Sequence, residues 1–182
     1  MRDVLYEESV NPYNLKFRKT VYIIYSVFFW ASVVAAVLLT MFMLFIAFDI
    51  GILILDALII GSSVLIRFFG NKVYYCVDYI FVTGSTRIIK VVNYKRRKKM
   101  IIFEANEVKT VGRLWSDTFE KLSKTPSVKK IFATPNKYPE EGFYVYVNQD
   151  GTNYLIIMEC KEEFLLHLVA FTGKGVVEKD YK

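Results

Sequence analysis

Five consecutive cations, Lys95, Arg96, Arg97, Lys98 and Lys99, are the densest patch of chemistry in this sequence. Such a run can hold phosphate on nucleic acid or on lipid headgroups, or it can stand in water as a solvated turn. Little else is equipped to make or break bonds. There is one histidine, His167, and its neighbours Leu166 and Leu168 suit partial burial against a sheet. The two cysteines, Cys76 and Cys160, are far apart and neither belongs to a CxxC pair, so no ordinary zinc set can be assembled. No Gly-rich phosphate loop, nucleophile elbow or His-based triad is present. The carboxylate pairs Glu140–Glu141 and Glu162–Glu163 fall at a turn and a helix start, where charge has structural reasons to be. The pattern points to a protein that is not an enzyme and uses neither metal nor cofactor.

The elements that position the basic run begin with two apolar stretches. The chain has 182 residues, 54% of them apolar, and a mean hydropathy of +0.30. Between Lys19 and Arg67 the only charges are Asp49 and Asp56. Val21 to Phe48 carries none, which exceeds the ~20 residues a helix needs to cross a bilayer, and Ile50 to Phe69 supplies a second span. A cleaved signal peptide has a shorter apolar core, about 7–15 residues, and no second span. The expectation is a two-helix membrane hairpin over residues 20–70. It is preceded by a cytosolic segment, 1–19, and followed by a cytosolic domain, 71–175, and a C-terminal tail, 176–182.

Lys and Arg flanking a span stay on the cytoplasmic side. Lys16, Arg18 and Lys19 precede the first span, Arg67 and Lys72 close the second, and the turn between them offers only Asp49. Both termini are therefore expected in the cytosol, under the plasma membrane. Both cysteines then lie in a reducing compartment and read as packing residues. A turn centred near Ala47 sets Ser32 opposite Ser62, with Ala31, Ala35 and Ala36 level with Ala57, Gly61 and Ser63. Small residues of this kind let helices approach closely in lipid. The same face offers an oligomer contact as an alternative. Asp56 is an ionisable group inside a span, by default a candidate for function. Its place two turns from the outer end favours a wet position near the interface.

Residues 1–70 carry five basic and five acidic groups, so the whole net charge of +6 belongs to the remainder. That remainder alternates aromatic and β-branched residues between turn signals. Strands are predicted at "KVYYCVDYIFV", "TRIIKVVNY", "KMIIFE" and "EVKTVGRL", then a short helix at "SDTFEKLSKTP" capped by Ser116 or Asp117. A fifth strand, "VKKIFAT", a hairpin around Asp150-Gly151 and an amphipathic helix at "KEEFLLHLVAF" complete the order. The predicted class is a membrane α-helical hairpin plus an α+β cytosolic domain, a bent antiparallel sheet or barrel capped by a C-terminal helix.

The stretch "YYCVDYIFVTGSTRIIKVVNYKRRKKMIIFEANEVKTV" resembles the core of bacterial pleckstrin-homology-like (PH-like) membrane proteins. From "YEESV" to "KGVV" the chain is similar to an uncharacterised family of small Gram-positive membrane proteins with two helices and such a domain. The resemblance implies topology and fold and brings no activity with it.

Strand geometry then places the run. A strand leaving the lipid at Lys72 turns at Gly84-Ser85 and returns, so the next turn, Lys95 to Lys99, points back at the membrane with Arg97 near Lys72. Anionic headgroups attract such a turn by about 1 kcal/mol per close Lys or Arg. Nucleic acid is disfavoured, since only Tyr94 offers a stacking platform. Three functions fit: an adaptor presenting the domain to a protein partner of unknown identity, a module sensing anionic lipid headgroups, or an accessory subunit of a larger membrane complex.

Overall fold

The computed structural model describes residues 5–46, 48–173 and 175–178; the expected hairpin apex at Ala47 and the last four residues of the expected tail lie outside them. Contacts divide the chain into a helical unit, Asn14–Tyr75, and a β-rich unit formed by the segment up to Tyr13 together with everything from Cys76 onward.

The helical unit is α1 (Leu15–Phe45) and α2 (Ile50–Val73), both long and apolar enough to cross a membrane. Asp49 caps α2, its side chain accepting the Ile52 N–H at 3.1 Å. The two helices are antiparallel neighbours, joined by a hydrogen bond between the hydroxyls of Ser63 and Ser32 at 2.7 Å and another from Thr40 to Asp56 at 2.8 Å. The observed register differs by a fraction of a turn from that expected. Ser63, not Ser62, meets Ser32; Ser62 faces outward and bonds its own helix at Ile59. Ala31, Ala57 and Gly61 are also exposed, whereas Ala36 and Ser63 are buried. The helices approach tightly at Gly70, where an added Cβ would come within 3.1 Å of Tyr25 Cβ.

The β-rich unit contains two four-stranded sheets. The first is ordered β1 (Leu5–Val10), β2 (Tyr75–Val82), β3 (Ser85–Val92), β4 (Arg96–Glu104). A 3₁₀ turn, Ala105–Glu107, then leads to the second, ordered β5 (Val108–Arg113), β7 (Phe143–Gln149), β8 (Thr152–Met158), β6 (Val128–Ala133). Among the described residues no strand pairing joins the two, so no closed barrel forms. α3 (Asp117–Lys124), capped by Ser116, connects β5 to β6, and α4 (Glu162–Phe171) follows β8. The predicted elements are present within a few residues of their expected bounds. Two features differ from the sequence reading. Leu5–Val10 forms a strand pairing antiparallel with β2, and β6 joins β8 in parallel.

Alternation on β2 buries Val77, Tyr79 and Phe81 on one face, as the pattern required. Phe164 of α4 packs its ring against Tyr79 and Phe81 at 5.7 and 6.4 Å, and Phe171 against Phe81 at 5.3 Å. A satellite cluster of Leu114, Phe119, Val128, Tyr144, Leu155 and Ile157 lies under α3.

Candidate functional site

The three hairpin turns are built alike. Thr83-Gly84, Asn93-Tyr94 and Asp150-Gly151 each hold both residues at positive φ, as the tight turns matching strand twist require. The second sets the place of the basic run. Lys95 donates its N–H to the Val92 carbonyl at 3.1 Å, so the tip of the β3–β4 hairpin is Asn93-Tyr94. Lys95 alone of the five cations belongs to the turn; Arg96, Arg97, Lys98 and Lys99 lie in β4, an edge strand. The run is thus a strand segment rather than the loop expected. Because β2 and β3 are antiparallel neighbours, this hairpin tip stands at the end of the sheet where β2 begins.

The strand distributes its charges over two faces. Lys98 is directly across from Lys90 and Arg96 across from Val92, while Arg97 and Lys99 point the other way. Arg97 is engaged: its guanidinium is 3.5 Å from the Asp78 carboxylate and 4.0 Å from Glu7. Asp78, with a side chain 5% exposed, also accepts the Ser9 hydroxyl at 2.6 Å. This buried carboxylate ties β1, β2 and β4 together across the face opposite the core. A lone acid in an otherwise apolar strand was the available signal; its partners are distant in sequence. Among the described residues Lys95, Arg96, Lys98 and Lys99 are exposed and in no ion pair. Lys72 lies in the last turn of α2 with its ammonium 4.0 Å from the centre of the Phe68 ring.

A second polar assembly organises the loop after β6. Asn136, buried, accepts the Tyr13 N–H at 3.0 Å and donates to the Asn11 carbonyl at 3.3 Å and to Glu159 at 2.9 Å. Glu159 also accepts the Thr134 hydroxyl at 2.6 Å, and the Tyr13 hydroxyl accepts the Glu140 N–H at 2.7 Å. Tyr79 donates to the Ala133 carbonyl and accepts the Glu159 N–H. The segment from Pro135 to Glu141, ambiguous in sequence, is therefore pinned to the residues that follow β1, Asn11 and Tyr13. A 340 Å³ cleft beside it is lined by Glu8, Glu140, Glu141 and Glu159. Burial, partly offset by the Lys161 backbone N–H, raises the Glu8 pKa.

His167 lies between the rings of Tyr6 and Phe81, 5.2 and 6.4 Å away, a packing position. Cys76 and Cys160 are buried free thiols, and burial pushes both pKa values up, that of Cys160 the further. Among the described residues no three His, Cys, Asp or Glu side chains are grouped to hold a metal ion. In the helical unit Asp56 is 6% exposed. It sits in the seam between the helices against Thr40, with Oδ1 lacking a hydrogen-bond partner among the described residues.

The profile of a family described as "Bacterial PH-like domain (DUF6106)" matches residues 13–178, most of the chain and both long helices. No curated protein and no solved structure matches it.

Proposed function

The chain belongs to the bacterial PH-like domain family DUF6106, and from that premise we propose that it is a non-enzymatic adaptor: two helices anchor a PH-like domain at the inner face of the plasma membrane, where it binds a protein segment. Fold membership alone leaves function open, so the reading depends on where the charges lie. The observation that carries it is the position of the β3–β4 hairpin. A single residue, Tyr74, separates the end of α2 from the start of β2, and the hairpin tip with Lys95 stands at that same end of the sheet. Cations there would meet anionic headgroups and hold the domain in one orientation, each contributing about 1 kcal/mol close to the surface. The basic residues flanking both spans support cytosolic termini.

The test is a Lys95→Cys chain carrying an environment-sensitive fluorophore, reconstituted in nanodiscs. Cys76 and Cys160 are buried, so labelling goes to the new thiol. In anionic nanodiscs the emission should shift toward that of a lipid-contacting dye, and salt should reverse the shift; an unchanged spectrum in both lipids contradicts this orientation. A second reading, a sensor of anionic headgroups, is favoured by the four cations in no ion pair among the described residues. It requires the domain's orientation to change with lipid charge at physiological salt.

A further inference from the structure

Two open four-stranded sheets have four edges, and each exposed edge is a row of backbone donors and acceptors that another chain can extend. Three of the four are closed or blunted by the chain itself. At β1 the Glu8 carboxylate holds the Lys161 N–H at 3.0 Å, the Asn11 carbonyl takes the Asn136 amide, and the Tyr6 ring packs on α4. At β5 the segment Val176–Glu178 runs alongside, with Val111 donating to Val176 at 2.9 Å and accepting from Glu178 at 3.0 Å. β4 carries four cations and a register break opposite Ile88/Ile89, and the Gln149 amide occupies the Ile102 carbonyl at 3.2 Å. Charge, bulges and side-chain capping are the devices by which proteins block an edge.

β6 carries two cations, Lys129 and Lys130, but no bulge and, among the described residues, no side chain capping Val128 to Phe132. Val128–Ala133 follows β8 in unbroken parallel register, contains no proline, and has no strand on its outer side among the described residues. Phe132 is 64% exposed there. By alternation Phe132 and Lys130 share the face of Val128, Leu155 and Ile157, where the satellite cluster lies. An apolar side chain from an added strand would land beside Phe132 and continue that cluster.

We infer that the outer edge of β6 is the docking strand of this domain, taking an extended partner segment that alternates acidic and apolar residues. Charge complementarity decides the occupant. Lys129 and Lys130 are both exposed and lie on opposite faces. A second copy paired edge to edge would bring these like charges together, whereas carboxylates on an added strand are attracted on either face. The inference rests on the adaptor reading and names its site.

The intact chain in neutral nanodiscs is panned against a phage library displaying random short peptides. Selected peptides should alternate acidic and apolar residues. Phe132→Ser and Lys130→Glu, both at exposed positions, should each weaken their binding by about tenfold or more, the loss typical of a truncated interface anchor. Lys109→Glu, an equal change in charge on β5, should leave binding unchanged, and circular dichroism should be that of the wild type for all three. Peptides that lose affinity on Lys98→Glu but not on the β6 variants would overturn the inference while keeping an adaptor. So would a Lys130→Cys chain that cross-links to a second copy. A library yielding no peptide at all would overturn both the inference and the adaptor reading.

Discussion

The helical unit and the β-rich unit bury opposite kinds of residue. In the β-rich unit the largest fully enclosed side chains include Tyr79, Phe81, Phe103, Tyr144 and Phe164. In the helices the buried positions are Ala36, Asp56, Ser63 and Gly70, while Phe28, Trp30, Leu38 and Leu58 are exposed. One chain thus follows two rules. In water, removing apolar area from solvent drives assembly, by roughly 25 cal/mol per Å². In lipid that drive is absent; close backbone approach and interhelical hydrogen bonds take its place. The exposed Phe, Trp and Leu of α1 and α2 would be severe liabilities in water. The inversion is therefore what the proposed membrane placement requires of the helices.

The largest effect should come from breaking the water-side rule. Phe164→Ala removes the ring on which Tyr6, Tyr79 and Phe81 converge. It should cost the β-rich unit about 3–5 kcal/mol, read from denaturant unfolding of the detergent-solubilised chain by near-ultraviolet dichroism. The helical signal of α1 and α2 should persist past that transition.

The lipid-side rule predicts a contrast between neighbours. Ser63→Leu forces bulk into the seam and should cost about 1–3 kcal/mol of helix pairing. Ser62→Leu faces outward and should be nearly silent. Disulfide cross-linking of Tyr25→Cys with Gly70→Cys, read by gel shift, should fall with the first and not with the second.

Thiol chemistry adds a pH test. Burial raises both cysteine pKa values, so the folded state favours the neutral thiols. That stabilisation is complete below the unfolded thiol pKa, about 8.5, and is lost as pH climbs through the raised folded values. The β-rich unit should therefore weaken above pH ~8.5, and Cys160→Ala should flatten the decline. At lower pH a disulfide reagent should react slowly until denaturant is added.

The smallest change in stability should follow Lys95→Gln with Lys98→Gln and Lys99→Gln. None of the three is in an ion pair among the described residues, and together they should alter unfolding by no more than about 0.5 kcal/mol. Association of the domain with anionic lipid should nevertheless drop.

These contrasts also explain what was legible in the sequence. Apolar length announced both helices, and period-two alternation announced β2 with its buried Tyr79 and Phe81. Ser116 and the Asp150-Gly151 pair marked a cap and a turn. Long-range pairing was not legible. β1 is six residues of mixed polarity whose partner β2 lies some 70 positions away, beyond both helices. The parallel β6–β8 ladder likewise has no local signature. Ser62 and Ser63 differ by one residue, about 100° around a helix, which is finer than a turn assumed near Ala47 can resolve. In the candidate site the cations were obvious, but their placement on a strand depended on the Asn93-Tyr94 turn, and the role of Asp78 depended on Ser9 and Arg97.

The central claim is that the helices enter from the inner face and leave the β-rich unit in the cytosol. Single cysteines at Phe48 and at Lys130, labelled in intact cells with a membrane-impermeant maleimide, test it most directly. The account expects Phe48→Cys to be labelled from outside and Lys130→Cys only after the membrane is permeabilised. Labelling of Lys130→Cys in intact cells would contradict it.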